Sequence, residues 1–255
     1  MSTSPGPDRT PRAVGNTRRR LEIAAMAVLT VVAVTLGVLL FTGNDGGGGA
    51  ESQTAASEGR GVTPGESGPL GELANREPGD PLALGAVDAP VTLVEFADYR
   101  CPFCAKFSRD IEPALIEKYV DSGRLRIEWR DMPIYGDESM LAARAARAAA
   151  EQGRFWEFNR ALYAAAPDGG HPSMNVDKLR GFAEDAGVPD IGRFTAQMRS
   201  AEFDAAIAAD STQAQQLGIP AAPAFSINGN PMLGAQPTSE FTDMIDTLLD
   251  GQDGA

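Results

Sequence analysis

Apolar residues are distributed along the chain in two regimes. From Ile23 to Phe41 they form one run without a charge, about 19 residues, which as a helix at about 1.5 Å per residue would span roughly 28 Å, close to the hydrocarbon core of a bilayer. From about Pro81 onward they recur at the short periods of a folded domain. Val91 to Phe96 reads as a strand, and Leu125 to Trp129 as a second, with Leu125, Ile127 and Trp129 sharing one face. Between them, Phe107, Ile111, Leu115 and Ile116 at helical spacing predict a helix from about Cys101 to Val120, ended by Asp121-Ser122-Gly123. From about Glu138 to Leu217 the pattern is helical throughout, with breaks near Gly153, at Pro167 to Pro172, at Gly187 to Asp190 and around Ser200, which predicts four or five helices in a layer of their own. Strands return at Ala224 to Ile227 and, after the hairpin signal Asn228-Gly229, at Pro231 to Leu233. A last helix is expected from about Thr238 to Leu249, capped by Thr238 or Ser239. The order is that of an α/β sandwich with an inserted helical subdomain.

These patterns divide the chain into a basic tail (1–20), a transmembrane anchor (21–42), a linker (43–81) and a folded domain (82–250) with a helical insert at about 138–217. The linker is rich in Gly, Ser, Pro, Glu and Thr, including Gly46 to Gly49, and a flexible chain of about 38 residues has a reach of roughly 35 Å. Arg9, Arg12, Arg18, Arg19 and Arg20 precede the apolar run against Asp8 and Glu22, so the positive-inside rule places the N-terminus in the cytoplasm and the domain outside a cell membrane. A signal peptide cleaved near Gly48 or Ala50 is the alternative, although the run exceeds the roughly 7 to 15 residues of a signal's apolar region. From Asp45 onward 17 Lys and Arg stand against 33 Asp and Glu, a surface that argues against nucleic acid as a partner.

The only two cysteines, Cys101 and Cys104, flank Pro102-Phe103 between the first strand and the helix. A CxxC pair at a helix N-terminus meets unpaired N–H groups and the positive end of the helix dipole, which favour a thiolate on the first sulfur. Cys101 is therefore the expected nucleophile and the accessible, low-pKa thiol. A zinc site would need further ligands, and His171 is the single histidine. Closing so short a loop would stabilise the fold little. His171, in a Gly- and Pro-rich loop, is expected to be a surface residue outside the chemistry. Trp129, Phe155, Trp156 and Phe158 are expected to pack.

The strand-linked Cys101-Pro102-Phe103-Cys104, the insert segment Glu151-Gln152-Gly153-Arg154-Phe155-Trp156, and Gly218-Ile219-Pro220-Ala221-Ala222-Pro223-Ala224-Phe225-Ser226-Ile227-Asn228-Gly229 occur in that order. With them the chain resembles the DsbA-like branch of the thioredoxin-fold thiol:disulfide oxidoreductases from about Pro90 to Leu249. The resemblance implies a thioredoxin fold, a central mixed sheet with flanking helices, carrying the helical insert. It implies that Pro223 is the cis-proline facing the dithiol and that Ala222 offers its backbone to an extended substrate segment. It matches Glu95 to a partly buried acid beneath the active site, of raised pKa, that exchanges a proton with Cys104, the alternative being a solvated residue on the strand's polar face. Two positions depart from the pattern. Pro102-Phe103 lacks the histidine of strongly oxidising members, leaving helix N–H groups and Arg100 to favour the thiolate, and Ala222 replaces a Thr or Val. The implied function is an exported oxidase that passes its disulfide to cysteine-containing proteins and is regenerated by a membrane redox partner, with no cofactor and no bound metal. A reductase or isomerase, and a copper-carrying module, remain open at this point.

Overall fold

In the computed structural model, residues 68–253 are described. The expected basic tail, anchor and most of the linker lie outside them; among the described residues no helix is long and apolar enough to cross a membrane.

The sheet contains β1 (Ala83–Leu84), β2 (Val91–Ala97), β3 (Leu125–Asp131), β4 (Ala224–Ile227) and β5 (Asn230–Leu233) in the order β1-β3-β2-β4-β5. β2 runs parallel to β3 and antiparallel to β4, so the strand that leads to the cysteines sits at the centre. Asn228 and Gly229 both take positive φ (45° and 80°), as a two-residue hairpin between β4 and β5 requires. β1 gave no sequence signal, being only two residues long.

Helix α1 covers residues 102–120, and it is not the uniform α-helix expected. Two five-residue stretches, Phe107–Ile111 and Ile116–Val120, are π-helical. Pro113 accounts for the first: it has no N–H to donate, and the turn before it widens so that the Glu112 N–H reaches Phe107 O. On the sheet side, Phe107 packs against Phe225 of β4 (ring centroids 4.5 Å) and Phe241 (5.3 Å) of the final helix, α7 (Thr238–Asp253). Burying such a ring stabilises by about 1.5–3 kcal/mol.

The insert is five helices: α2 (Asp137–Ala150), α3 (Phe155–Ala164), α4 (Val176–Asp185), α5 (Ile191–Arg199) and α6 (Asp204–Gln216). Tyr99, just after β2, stacks between Trp129 of β3 (4.9 Å) and Tyr163 of α3 (5.5 Å), and Phe155 meets Trp129 edge-on. Arg147 of α2 adds ion pairs to Asp131 and Asp210, both at 2.6 Å.

The sequence pattern placed only one face of β3 in the core, but all seven of its residues are buried. Residues 68–81, expected as the end of the linker, instead lie against the sheet. Gly68 N–H donates to Asn228 O at 2.8 Å and Leu70 N–H to Gly229 O at 3.0 Å, an approach that only glycines at 68 and 229 permit. Farther on, the fully buried Glu128 carboxylate accepts from Asn75 N–H (2.9 Å), Arg76 N–H (3.0 Å), Arg126 Nε (2.8 Å) and Arg130 Nη2 (2.9 Å). The charged residues of this face of β3 are thus paired with one another and roofed by this arm.

Candidate active site

The site forms where β2 delivers the chain to α1. Asp98 shapes the turn: its carboxylate accepts from Arg100 N–H (2.7 Å), Ile134 N–H (2.7 Å), Tyr135 N–H (3.2 Å) and Ser139 Oγ (2.9 Å), while its carbonyl accepts from Cys101 N–H (3.0 Å). Burial pushes the Asp98 carboxyl up, against the pull of these bonds. Cys101 then occupies the N-cap with extended backbone (φ −78°, ψ 121°), and Pro102 opens the helix, where a missing N–H leaves no bond unmade.

Both cysteines are free thiols. The hydrogen bond from Cys104 lowers the Cys101 thiol to about 6; burial opposes it, and the N–H groups of Cys104 and Phe103 add to the lowering. Burial, followed by the interaction with Cys101, raises Cys104 well above the ordinary thiol range. The two sulfurs therefore differ in charge state near neutrality. They do not differ in exposure, which is 1% for Cys101 and 0% for Cys104, so the expectation of an accessible Cys101 is corrected. The reason is local: Cys101 Sγ lies against the cis-proline loop and donates to Ala222 O at 3.2 Å.

The Ala222-Pro223 peptide is cis. Pairing of β4 with β2, with Ala224 opposite Phe96, brings Ala222 beside Cys101. Pro220 lines an apolar cavity of about 240 Å³ with Phe96, Ile219, Phe225 and Met232. Phe103 is 61% exposed and Ile134 47% exposed, giving the surroundings of the dithiol an apolar surface.

Glu95 lies in β2 and is 2% exposed, so it is not on a solvated face. Burial first, then repulsion from Glu112 and Cys101, raises its carboxyl well above the usual range. Glu112 is a second buried acid that the sequence reading missed. It accepts from Ser108 Oγ at 3.0 Å, and burial raises it to about 7. Arg100 does not serve the thiolate as expected. Its guanidinium is committed to Tyr135 O (2.6 Å), Pro172 O (2.8 Å) and Glu138 Oε2 (3.0 Å). His171 is exposed, yet its ring stacks on Tyr135 at 3.8 Å between centroids and its Nδ1 meets Arg100 O at 3.0 Å. Among the described residues no group of three or more His, Cys, Asp and Glu comes together to hold a metal ion.

This geometry can be set beside known proteins. A family model described as Thioredoxin matches residues 77–247. The chain belongs to that thioredoxin family. The Bacillus cereus protein named probable disulfide bond formation protein D is 31% identical to this thioredoxin-family chain over 152 residues, covering 58% of it and 70% of the relative. The crystal structure of oxidised BdbD from Bacillus subtilis superposes with a TM-score of 0.65 at 26% identity, over 72% of this chain and all of that one (100%). Wolbachia pipientis alpha-DsbA1, at 24% identity and a TM-score of 0.59, covers 66% of this chain and 90% of its own, and shows the shared fold.

Proposed function

We propose that this thioredoxin-family protein is an extracytoplasmic thiol:disulfide oxidoreductase acting as a disulfide-forming oxidase on exported proteins, held to the cell membrane by a single N-terminal span. The observation that carries the reading is the pairing of a Cys101 thiol lowered to about 6 with a buried Cys104 raised far above it, directly facing the Ala222-Pro223 loop.

In the oxidised protein a substrate thiolate attacks Cys101 Sγ, breaking the Cys101–Cys104 bond. Cys104 leaves with the electron pair and takes a proton, for which Glu95 is the adjacent buried donor. The second substrate thiolate then attacks the substrate sulfur of the mixed disulfide and releases Cys101 as thiolate. Two electrons pass from substrate to protein, and a membrane redox partner removes them. Ala222 offers backbone pairing to the extended substrate, with Pro102 and Phe103 setting the floor beside it and Phe103 and Ile134 supplying apolar contact suited to an unfolded segment. No cofactor is invoked.

Lowering one thiol from 9.0 to about 6 stabilises the reduced form at pH 7 by about 1.4 kcal/mol, or about 30 mV for a two-electron couple. That moves the poise toward oxidation, with the rest resting on the disulfide's own stability. The direct test is to mix the oxidised protein with a reduced, unfolded two-cysteine protein at pH 7: one substrate disulfide per protein equivalent is expected, and no transfer contradicts the reading.

Glu95→Gln removes the proton exchanger while keeping its shape. Resolution of a mixed disulfide by Cys104, followed by rapid quench at pH 7, is expected to slow on the order of 10²-fold. A rate within about twofold of the parent protein would remove Glu95 from the proton path.

A further inference from the structure

The dipeptide between the cysteines has no side-chain donor for the Cys101 sulfur, and Arg100 is turned elsewhere. A phenol that interacts with the Cys101 charge is nevertheless supplied by Tyr135, in the loop between β3 and α2. Its backbone is fixed to the two residues around the turn before Cys101: Ile134 and Tyr135 N–H to the Asp98 carboxylate (2.7 and 3.2 Å), and Tyr135 O to Arg100 Nη1 (2.6 Å). Met132 N–H, bonded to Ala97 O at 2.9 Å, continues the attachment along the end of β2. The half-buried Tyr135 ring is backed by the His171 ring, which is itself tied to the carbonyl of the residue preceding the nucleophile.

We propose that Tyr135 is a further catalytic residue, whose phenol O–H donates to the Cys101 sulfur whenever it carries charge, and that His171 is the positioning residue that holds the phenol there. The donor thereby stands in for a dipeptide histidine. It acts on the thiolate of the reduced protein and on the Cys101 thiolate released when a mixed disulfide is resolved. The phenol suits this role because it keeps its proton: burial first, then the Cys101 charge and hydrogen bond, push it up to about 12. The Asp98 and Glu95 carboxyls, the other titratable groups near the sulfur besides Cys104, are acids and cannot favour its negative charge when ionised.

The inference rests on the oxidoreductase reading of the dithiol, and the experiment separates the two. Thiolate absorbance near 240 nm and the iodoacetamide rate of the reduced protein are followed against pH for the parent protein, Tyr135→Phe, His171→Ala and His171→Phe. Tyr135→Phe keeps the ring and its stacking partner, and its Cys101 midpoint is expected to rise by about one unit, as loss of a hydrogen bond to a charged group implies. At pH 7 the equilibrium with glutathione then shifts about fivefold toward the disulfide, or about 20 mV. His171→Ala is expected to move the midpoint the same way by less, and His171→Phe, which can still stack, to restore it. An unchanged midpoint in Tyr135→Phe, with the parent protein titrating near 6, overturns the role of Tyr135 and leaves the oxidoreductase reading intact. A parent protein with no thiolate below pH 8 overturns that reading itself. An unshifted midpoint in His171→Ala, with Tyr135→Phe shifted, overturns the positioning role alone.

Discussion

Cys104→Ala is expected to arrest the protein as a covalent adduct with its substrates, whereas Cys101→Ala should form none. The asymmetry follows from the site: the sulfur at the helix N-cap is lowered to about 6 and meets Ala222 O, while the sulfur one turn inside is held as a thiol. A substrate disulfide attacked by Cys101 leaves a mixed disulfide that only Cys104 can resolve from within the protein. Nonreducing electrophoresis of each variant after exposure to exported cysteine-containing proteins reads the result. Disulfide transfer should fall to background in both variants. Adducts on Cys101→Ala and none on Cys104→Ala would reverse the roles.

The second large effect lies away from the dithiol. Glu128→Ala removes the acceptor shared by Arg126, Arg130 and the N–H groups of Asn75 and Arg76. Two guanidiniums would be left buried without their counter-charge, and the arm would lose its tether. Removing one partner of a buried ion pair typically costs about 3–5 kcal/mol, measurable as a fall in the urea midpoint at unchanged slope. The same group gives a pH signature. Burial alone would raise the carboxyl, but Arg126, Asn75 N–H, Arg130 and Arg76 N–H together hold it down from 4.5 to about 2. A carboxyl depressed in the folded state contributes stability above its unfolded pKa and loses it as pH falls through the folded value. Stability of the parent protein should therefore drop by roughly 3 kcal/mol between about pH 5 and pH 2 from this group. Glu128→Gln should lack that part of the drop. A loss under about 1 kcal/mol in Glu128→Ala would show that the arm and the cluster do not depend on the charge.

The sequence made most of the sheet and every helix of the insert legible, because apolar periodicity and Gly or Pro breaks mark those elements directly. Gly153, Pro167 to Pro172, Gly187 and Ser200 each fall between observed helices. β3 was harder. Its alternation put Leu125, Ile127 and Trp129 on one face and said nothing of the other, since periodicity records polarity and cannot show that Arg126 and Arg130 share the Glu128 carboxylate under a covering arm. The same blindness made residues 68–81 look like linker, for glycine and a few backbone bonds dock them without an apolar stripe.

At the site, the cysteines stood out because residue type and spacing carry their chemistry, whereas Pro223 was singled out by the family resemblance alone. Glu112 left a signal that was not used: Cys104, Ser108 and Glu112 follow at four-residue spacing, so a helix sets all three on one face. Tyr135 left none. It is held beside the turn that precedes Cys101 by an irregular loop, through bonds to Asp98 and Arg100, and no periodicity marks such a placement. His171 was placed correctly on a surface loop, but its packing against Tyr135 is a tertiary fact.

The central claim, that a thiolate-favouring Cys101 makes the pair a disulfide donor, is tested most directly by the equilibrium of the Cys101/Cys104 couple with glutathione at pH 7. The account predicts a reduction potential above about −230 mV, between the glutaredoxins and DsbA. A value near about −270 mV, that of thioredoxin, would contradict it and make the protein a reductase.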